Sequence, residues 1–447
     1  MKASRQLGLA VGALSALGWL GPAAAGLPES YGMGSRAAAM AGAVGADAND
    51  FSAVAYNPAG LVEARRLSLS AGYTLNRQEL ESNGRDAGVD DVRGVVGGVV
   101  APGKILGLPF AFGVALYLPD SGLSFLKARR QEAPRWELYD TRQQLLFLAA
   151  TLAIRPLPWL EVGGGLGYLS ATRGRFAIRG TANLAAPFDS SLEHEVDADL
   201  TAVRYPILGV RIRRAGYGAV GVAYRGSSQL DLQLAARLQG LVELGALQVP
   251  LVYALEARTF SAFTPSMLTT SFSFQRFQRL HVNLDLSWVH WSAYESPVAR
   301  ITAQLAIVSP PGLAVAVPAA PSPTLPIAPQ FRDRIVPRVG VEWRIPFGAR
   351  VEFPLRGGYA YEASPVPDQR GRTTYLDADR HVFALGAGVA VSKLGDVLPG
   401  TLRLDVHAAL SLLPIRRIFK ENPADFVGDA TASGQITGVG ANAEVAF

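Results

Sequence analysis

Cysteine is absent from the 447 residues, so neither disulfides nor thiol chemistry can serve this chain. Charge is scarce, with Asp, Glu, Lys and Arg at 18% against the ~25% of ordinary soluble domains. Histidine occurs only as His194, His281, His290, His381 and His407, and no two have metal-pair spacing. Gly226-Ser227-Ser228 lacks the G-x-S-x-G elbow of a serine nucleophile. Gly163-Gly164-Gly165-Leu166-Gly167 is glycine-rich but lies inside an alternating run rather than before a helix, which argues against a phosphate loop. No basic patch interleaved with aromatics appears, which argues against nucleic acid as a partner. These absences point away from metals, cofactors and catalysis.

Long apolar runs are also missing, although 49% of the residues are hydrophobic. The longest such stretch, Leu7 to Leu20, follows Lys2 and Arg5 and runs into Gly21-Pro22-Ala23-Ala24-Ala25. A positive start, a short apolar core and a small-residue exit predict a secretory signal peptide over 1–25. It is shorter than the ~20 apolar residues that a membrane helix needs. Its loss would lower the formal charge from +5, by the two charges of Lys2 and Arg5, to +3.

What the chain does have is alternation. Leu67, Leu69, Ala71, Tyr73 and Leu75 are separated by Ser68, Ser70, Gly72 and Thr74. Leu280, Val282, Leu284, Leu286 and Trp288 alternate with His281, Asn283, Asp285 and Ser287, and Val339, Val341, Trp343 and Ile345 with Gly340, Glu342 and Arg344. Leu402, Leu404, Val406, Ala408, Leu410 and Leu412 face Arg403, Asp405 and His407. Such runs last ~10 residues, the length of a tilted membrane strand, against ~5–6 in soluble sheets. About fourteen can be counted by the usual strand criteria. The fold class predicted is all-β, a transmembrane antiparallel barrel. Tight turns at 155–158, 214–216 and 346–349 would face the periplasm, and the long connections 120–139, 173–198, 233–264, 292–334, 362–379 and 414–432 the exterior. In this setting His281 with Asp285, conceivable as a catalytic pair, is accounted for as a hydrogen-bonding residue on a lumen row.

The last residue, Phe447, closes an amphipathic strand behind Ala441, Ala443 and Val445. A terminal aromatic of this kind resembles the signal read by the barrel-assembly machinery of the outer membrane. Two segments break the pattern. Residues 26–62 are rich in Gly and Ala, and residues 298–330 are apolar but interrupted by prolines, a poor helix and a poor central strand. The second reads either as a plain loop or as an apolar lip where a greasy ligand lands.

The stretch Gly32-Met33-Gly34-Ser35-Arg36-Ala37-Ala38-Ala39-Met40-Ala41-Gly42, with Asp47, Asn49-Asp50 and Tyr56-Asn57-Pro58-Ala59-Gly60-Leu61, resembles the plugging segment of the long-chain fatty-acid transporter (FadL-type) family. Val222-Ala223-Tyr224-Arg225, Leu284-Asp285-Leu286-Ser287-Trp288 with Trp291-Ser292, Arg356-Gly357-Gly358-Tyr359 through Pro367, and Asp379-Arg380 are similar too, in order along the chain. The resemblance implies a monomeric barrel of about fourteen strands over 65–447, with a small N-terminal hatch over 26–64 inside its lumen. It implies an outer-membrane channel for the passive uptake of hydrophobic compounds, long-chain fatty acids first and aromatic hydrocarbons such as toluene or xylene as the alternative. An outer-membrane barrel enzyme, a general pore or an adhesive barrel are the readings from other classes.

On this footing Asn57, Pro58 and Ala59 are the hatch motif. Phe51 is a candidate pocket wall, and Arg225 and Arg380 are candidates for a carboxylate head group, since an Arg–carboxylate contact is charge-assisted. Family members also release ligand through a gap made by a strand kink. Gly113 and Pro206 are positions where a bend could lie, and ordinary strand packing accounts for either equally.

Overall fold

The computed structural model describes residues 27–120, 132–140, 146–183, 188, 191–244, 247–277, 279–297, 300–307, 327–394, 398–422 and 425–447. The expected leader therefore lies outside the described residues. Fourteen antiparallel strands close into a ring: β1 (Ser68–Ser82), β2 (Val92–Ile105), β3 (Leu108–Pro119), β4 (Phe147–Leu157), β5 (Leu160–Asn183), β6 (Ser191–Arg214), β7 (Gly218–Arg225), β8 (Met267–Phe277), β9 (Leu280–Val289), β10 (Arg334–Phe347), β11 (Val351–Glu362), β12 (Arg380–Leu394), β13 (Leu398–Ile418) and β14 (Ala430–Ala446). The last strand returns to the first, pairing Leu69 with Val445 and Leu75 with Val439. Closure leaves no unpaired edge, which is what allows a sheet to sit in lipid.

The side chains are arranged inside out relative to a soluble sheet. On β9, Leu284, Leu286 and Trp288 are exposed, whereas His281, Asn283, Asp285 and Ser287 are buried. On β10, Ile335, Val341 and Trp343 face outward, and Arg338 and Glu342 inward. The period of two that was visible in the sequence thus separates a lipid face from a lumen face. Trp159, Tyr217, Phe277 and Phe347 stand exposed around the end that carries the short turns, as an aromatic girdle does at a membrane interface. The start of the first strand and the last residue meet there, with the Phe447 N–H donating to the Leu67 carbonyl at 2.9 Å. That end is periplasmic, and the protein is an outer-membrane barrel.

Two long connections turn out to be largely strand. β5 and β6 run 24 residues each, far beyond the bilayer, and their upper register sets Arg173 opposite Asp199, Arg175 opposite Asp197 and Arg179 opposite Glu193. Residues Ser228–Leu244 and Leu247–Thr264 form a second outer hairpin. This hairpin pairs in parallel with upper β5 and, on its other edge, with Arg300–Ile307. The proline-broken remainder of the 298–330 segment lies largely outside the described residues. Gly113 sits in unbroken ladders on both sides. At Pro206 the carbonyl accepts from Gly226 N–H at 3.2 Å, but proline has no N–H to return, and the β6–β7 ladder begins one residue below, at Ile207.

Residues 27–64 fold inside the ring as three short helices, α1 (Leu27–Ser30), α2 (Ser35–Ala39) and α3 (Ala53–Tyr56), followed by a 3-10 turn over Pro58–Glu63. Small side chains let this segment pack compactly: Ala37, Ala39, Ala43, Ala53 and Ala59 are all almost fully buried.

Candidate functional site

The Asn57-Pro58-Ala59 motif is held in a seat cut into the barrel wall. Asn57 is 1% exposed. Its Oδ1 accepts from Ala59 N at 3.1 Å, and its Nδ2 donates to the Val210 carbonyl of β6 at 3.4 Å. Pro58 opens the 3-10 turn, where its missing N–H costs nothing. Glycines on three adjacent strands make room. A Cβ on Gly209 would lie 2.1 Å from Asn57 Oδ1, one on Gly221 2.7 Å from Asn57 Nδ2, and one on Gly163 2.5 Å from Ala59 N. In the glycine run at 163–167 this accounts for Gly163, whereas a Cβ on Gly165 would meet the Ala150 carbonyl and Thr151 and one on Gly167 the Tyr205 ring.

The periplasmic floor of the lumen is a lattice of balanced charges. Arg36 of the inner segment reaches Asp47 at 2.6 Å and Glu342 of β10 at 3.0 Å. Glu342 also receives Arg356 at 2.7 Å and Arg344 at 2.6 Å, and Arg356 continues to Asp405 at 2.6 Å. A second set joins Glu63 to Arg155 and Arg213, while Glu161 receives Arg155 at 2.7 Å as well as Arg211. His281 faces Asp47 at 3.6 Å. Asp47, His281 and Glu342 could come together around a metal ion. A guanidinium, that of Arg36, already fills the cation position between the two carboxylates. A polar cavity of about 110 Å³ lies in this floor, lined by Asp47, Glu63, Arg211, Arg213, Gln275 and His281.

The extracellular side of the segment is different. Glu362 at the top of β11 is shared by three arginines: Arg334 at 3.1 Å, Arg338 at 3.6 Å and Arg380 at 4.0 Å. Arg225 is paired with Glu29 of α1. Arg380 also donates to the Ser30 carbonyl, so two wall arginines grip the inner segment directly. Above them the loops supply an aromatic core. Tyr294 stacks on Phe331 at 4.6 Å, and Trp291, Phe263 and Tyr375 pack around that pair. The two tiers touch, with Arg334 5.8 Å above the Trp291 ring, and Arg380 lies 5.7 Å from the ring of Tyr31 in the inner segment. The space enclosed beneath, lined by Glu29, Tyr31, Asn76, Glu362 and Arg380, is about 20 Å³. That holds about one water, whereas a benzene-sized guest needs about 150 Å³. Among the described residues this space is therefore too small for such a guest.

Of the residues singled out from sequence, Asn57, Pro58 and Ala59 form the wall seat. Phe51 packs on Gly98 of β2, where an added Cβ would lie 2.6 Å from Phe51 Cβ, in the seam between segment and wall. Arg225 and Arg380 share the upper tier, each with an internal partner. Phe447 is half exposed at the periplasmic rim. Sequence reasoning missed Glu29, Arg334, Arg338 and Glu362 as a cluster. The available signal was that Arg338 lies on a polar strand row and Glu362 within the family-like stretch from Arg356 through Pro367.

The pattern of the family described as "Outer membrane protein transport protein (OMPP1/FadL/TodX)" matches residues 14–444. Alkane uptake protein A of Marinobacter nauticus is 32% identical over 103 residues, 23% of this chain, and the match spans about a fifth of that relative's length, 21%. A Pseudomonas aeruginosa FadL homologue superposes with a TM-score of 0.55 at 14% identity, covering 93% of this chain and 97% of its own. The Ralstonia pickettii toluene transporter TbuX does so with a TM-score of 0.51 at 18% identity, covering 93% and 99%. At these identities the superpositions speak for the fold.

Proposed function

We propose that this chain, which belongs to the OMPP1/FadL/TodX family of outer-membrane transport proteins, admits long-chain fatty acids, and that residues 27–64 act as the hatch they displace. The family carries hydrophobic compounds, and the finer choice of cargo rests on one observation. Three upper-lumen arginines share the single carboxylate of Glu362, directly beneath an aromatic core. An anionic head with an apolar tail complements that pairing of tiers. Glu29 on Arg225 then acts as an internal stand-in for the ligand head group. A fatty-acid carboxylate that replaced it would release the top of α1, coupling binding to hatch movement.

A second reading, an uncharged hydrocarbon, is favoured by the aromatic loop core and by the names of the alkane and toluene relatives. Binding of palmitate and of hexadecane to the purified protein, by competition with a fluorescent fatty acid, separates them. A charge-assisted bond contributes about 1.5–3 kcal/mol, so Arg380→Gln should weaken palmitate about tenfold or more and leave hexadecane unchanged. Equal binding of the two ligands, both indifferent to Arg380→Gln, would establish the hydrocarbon reading instead.

A further inference from the structure

Three neighbouring strands meet on a cationic patch at the periplasmic rim. Arg214 closes β6, Tyr217 sits in the turn into β7, and Arg276 lies near the end of β8, which pairs with β7. The Arg214 guanidinium lies 4.5 Å from the centroid of the Tyr217 ring and that of Arg276 5.1 Å from the same ring. The Tyr217 carbonyl accepts from Gln275 N at 2.9 Å, which fixes the turn against β8. All three side chains are exposed. Two like charges on one ring repel each other, and among the described residues no carboxylate pairs with either arginine.

Both arginines continue lipid-facing rows. Arg214 follows the exposed Val210 and Ile212, and Arg276 the exposed Phe272 and Phe274. Phe277 and Phe347, 67% and 72% exposed, mark the same level as the aromatic girdle, so the patch lies at head-group depth. The surrounding turns reinforce it. Residues 214–218, 275–280 and 345–352 carry Arg214, Arg276, Arg279 and Arg350 against the single acid Glu352, while Arg213 turns inward to Glu63.

We propose that Arg214, Tyr217 and Arg276 form a binding site for an anionic phospholipid of the periplasmic leaflet, its phosphate held between the two guanidiniums. Guanidinium groups present paired N–H donors that match phosphate oxygens, and the ring holds both side chains in place before the lipid arrives. A bilayer lipid is favoured over a soluble anion because the two cations extend from rows whose other members face hydrocarbon.

The test is native mass spectrometry of the full-length mature protein released from nanodiscs of equimolar phosphatidylglycerol and phosphatidylcholine. The wild type should retain phosphatidylglycerol preferentially, and raising the ionic strength should strip it. Each basic residue near an anionic surface is worth about fivefold, so Arg214→Gln with Arg276→Gln should reduce the preference by about tenfold or more. The single variants should each reduce it about fivefold, which keeps the test available if the double variant does not assemble. Heat-modifiable gel mobility confirms assembly in each case. Equal retention of the two lipids, a preference unaffected by the substitutions or by salt, or equally tight binding of inorganic phosphate would each overturn the proposal. Displacement of the lipid by a periplasmic protein at this rim would do so as well.

Discussion

Gly163→Ala adds a single methyl group between the barrel wall and the Asn57-Pro58-Ala59 motif of the proposed hatch. Its Cβ would lie 2.5 Å from both Ala59 N and Pro58 C, and 2.8 Å from the Pro58 carbonyl oxygen. Ordinary contact between such atoms is about 3.5–4.0 Å, so the motif must retreat by about an ångström. The obstacle is backbone, which cannot swing aside as a side-chain tip can. Retreat stretches the Asn57 Nδ2 to Val210 bond, already 3.4 Å, beyond hydrogen-bonding range. Overpacking costs about 1–3 kcal/mol, and the lost bond about 0.5–1.5 kcal/mol. With a factor of ten for each 1.4 kcal/mol, the unseated hatch should become about tenfold to a thousandfold more populated.

Single-channel recording in planar bilayers reads this directly, as more frequent and longer openings. Gly164→Ala is the matched control. Its Cβ would meet the tip of Leu208, Cδ2 at 3.0 Å, on the other face of the same strand, and that side chain can turn away. The reasoning fails if correctly assembled Gly163→Ala barrels show the same opening statistics as Gly164→Ala barrels.

Removing Arg36 tests the floor. Arg36→Met leaves Asp47 short of its partner and takes one cation from Glu342, and breaking a buried pair costs about 3–5 kcal/mol; protease cleavage within 27–64 should become readily detectable, and an unchanged digestion pattern would show that the lattice does not hold the hatch. Asp377, buried in the loop between β11 and β12, has its carboxyl pushed by burial from 3.8 to about 6, even though the Ser364 hydroxyl bonds it at 2.6 Å. The folded loop therefore binds the proton more tightly than the unfolded chain does. Its stability is full below about pH 4 and declines as pH rises through 6. Hydrogen exchange of 363–379, corrected for intrinsic rates, should show protection falling over that window, and Asp377→Asn should abolish the dependence.

The ring was legible because lipid on one side and a polar lumen on the other impose a period of two on every strand. Leu284, Leu286 and Trp288 could be assigned to one face without any knowledge of their neighbours. The floor was not legible, because its pairs join residues far apart in sequence: Arg36 meets Glu342 across 306 positions. Alternation shows which face a charge occupies but not its partner. Arg225 and Arg380 were accordingly found without Glu29 and Glu362. The outer ribbons escaped for another reason. The apolar alternation that lipid imposes is not demanded beyond the bilayer, so 173–183 read as loop although they continue β5. The glycine run at 163–167 was seen, but Gly163 gained meaning only from Pro58 and Ala59 lying against it.

The two ends of the inner segment are held by bonds of different replaceability. At the top, Glu29 and the Ser30 carbonyl are acceptors for Arg225 and Arg380, and an incoming carboxylate offers the same kind of acceptor in the same place. Exchange there swaps one charge-assisted contact for another, with little net cost. At the floor, Arg36 is matched by Glu342 and Glu63 by Arg155 and Arg213, wall charges that an apolar chain cannot satisfy. Pulling them apart strands buried charges, at about 3–5 kcal/mol for each broken pair. With Asn57 seated in the wall between these tiers, the proposed cargo loosens the hatch from its extracellular side while the floor stays closed. On that reading a fatty acid could occupy the upper lumen before any water-filled path spans the barrel.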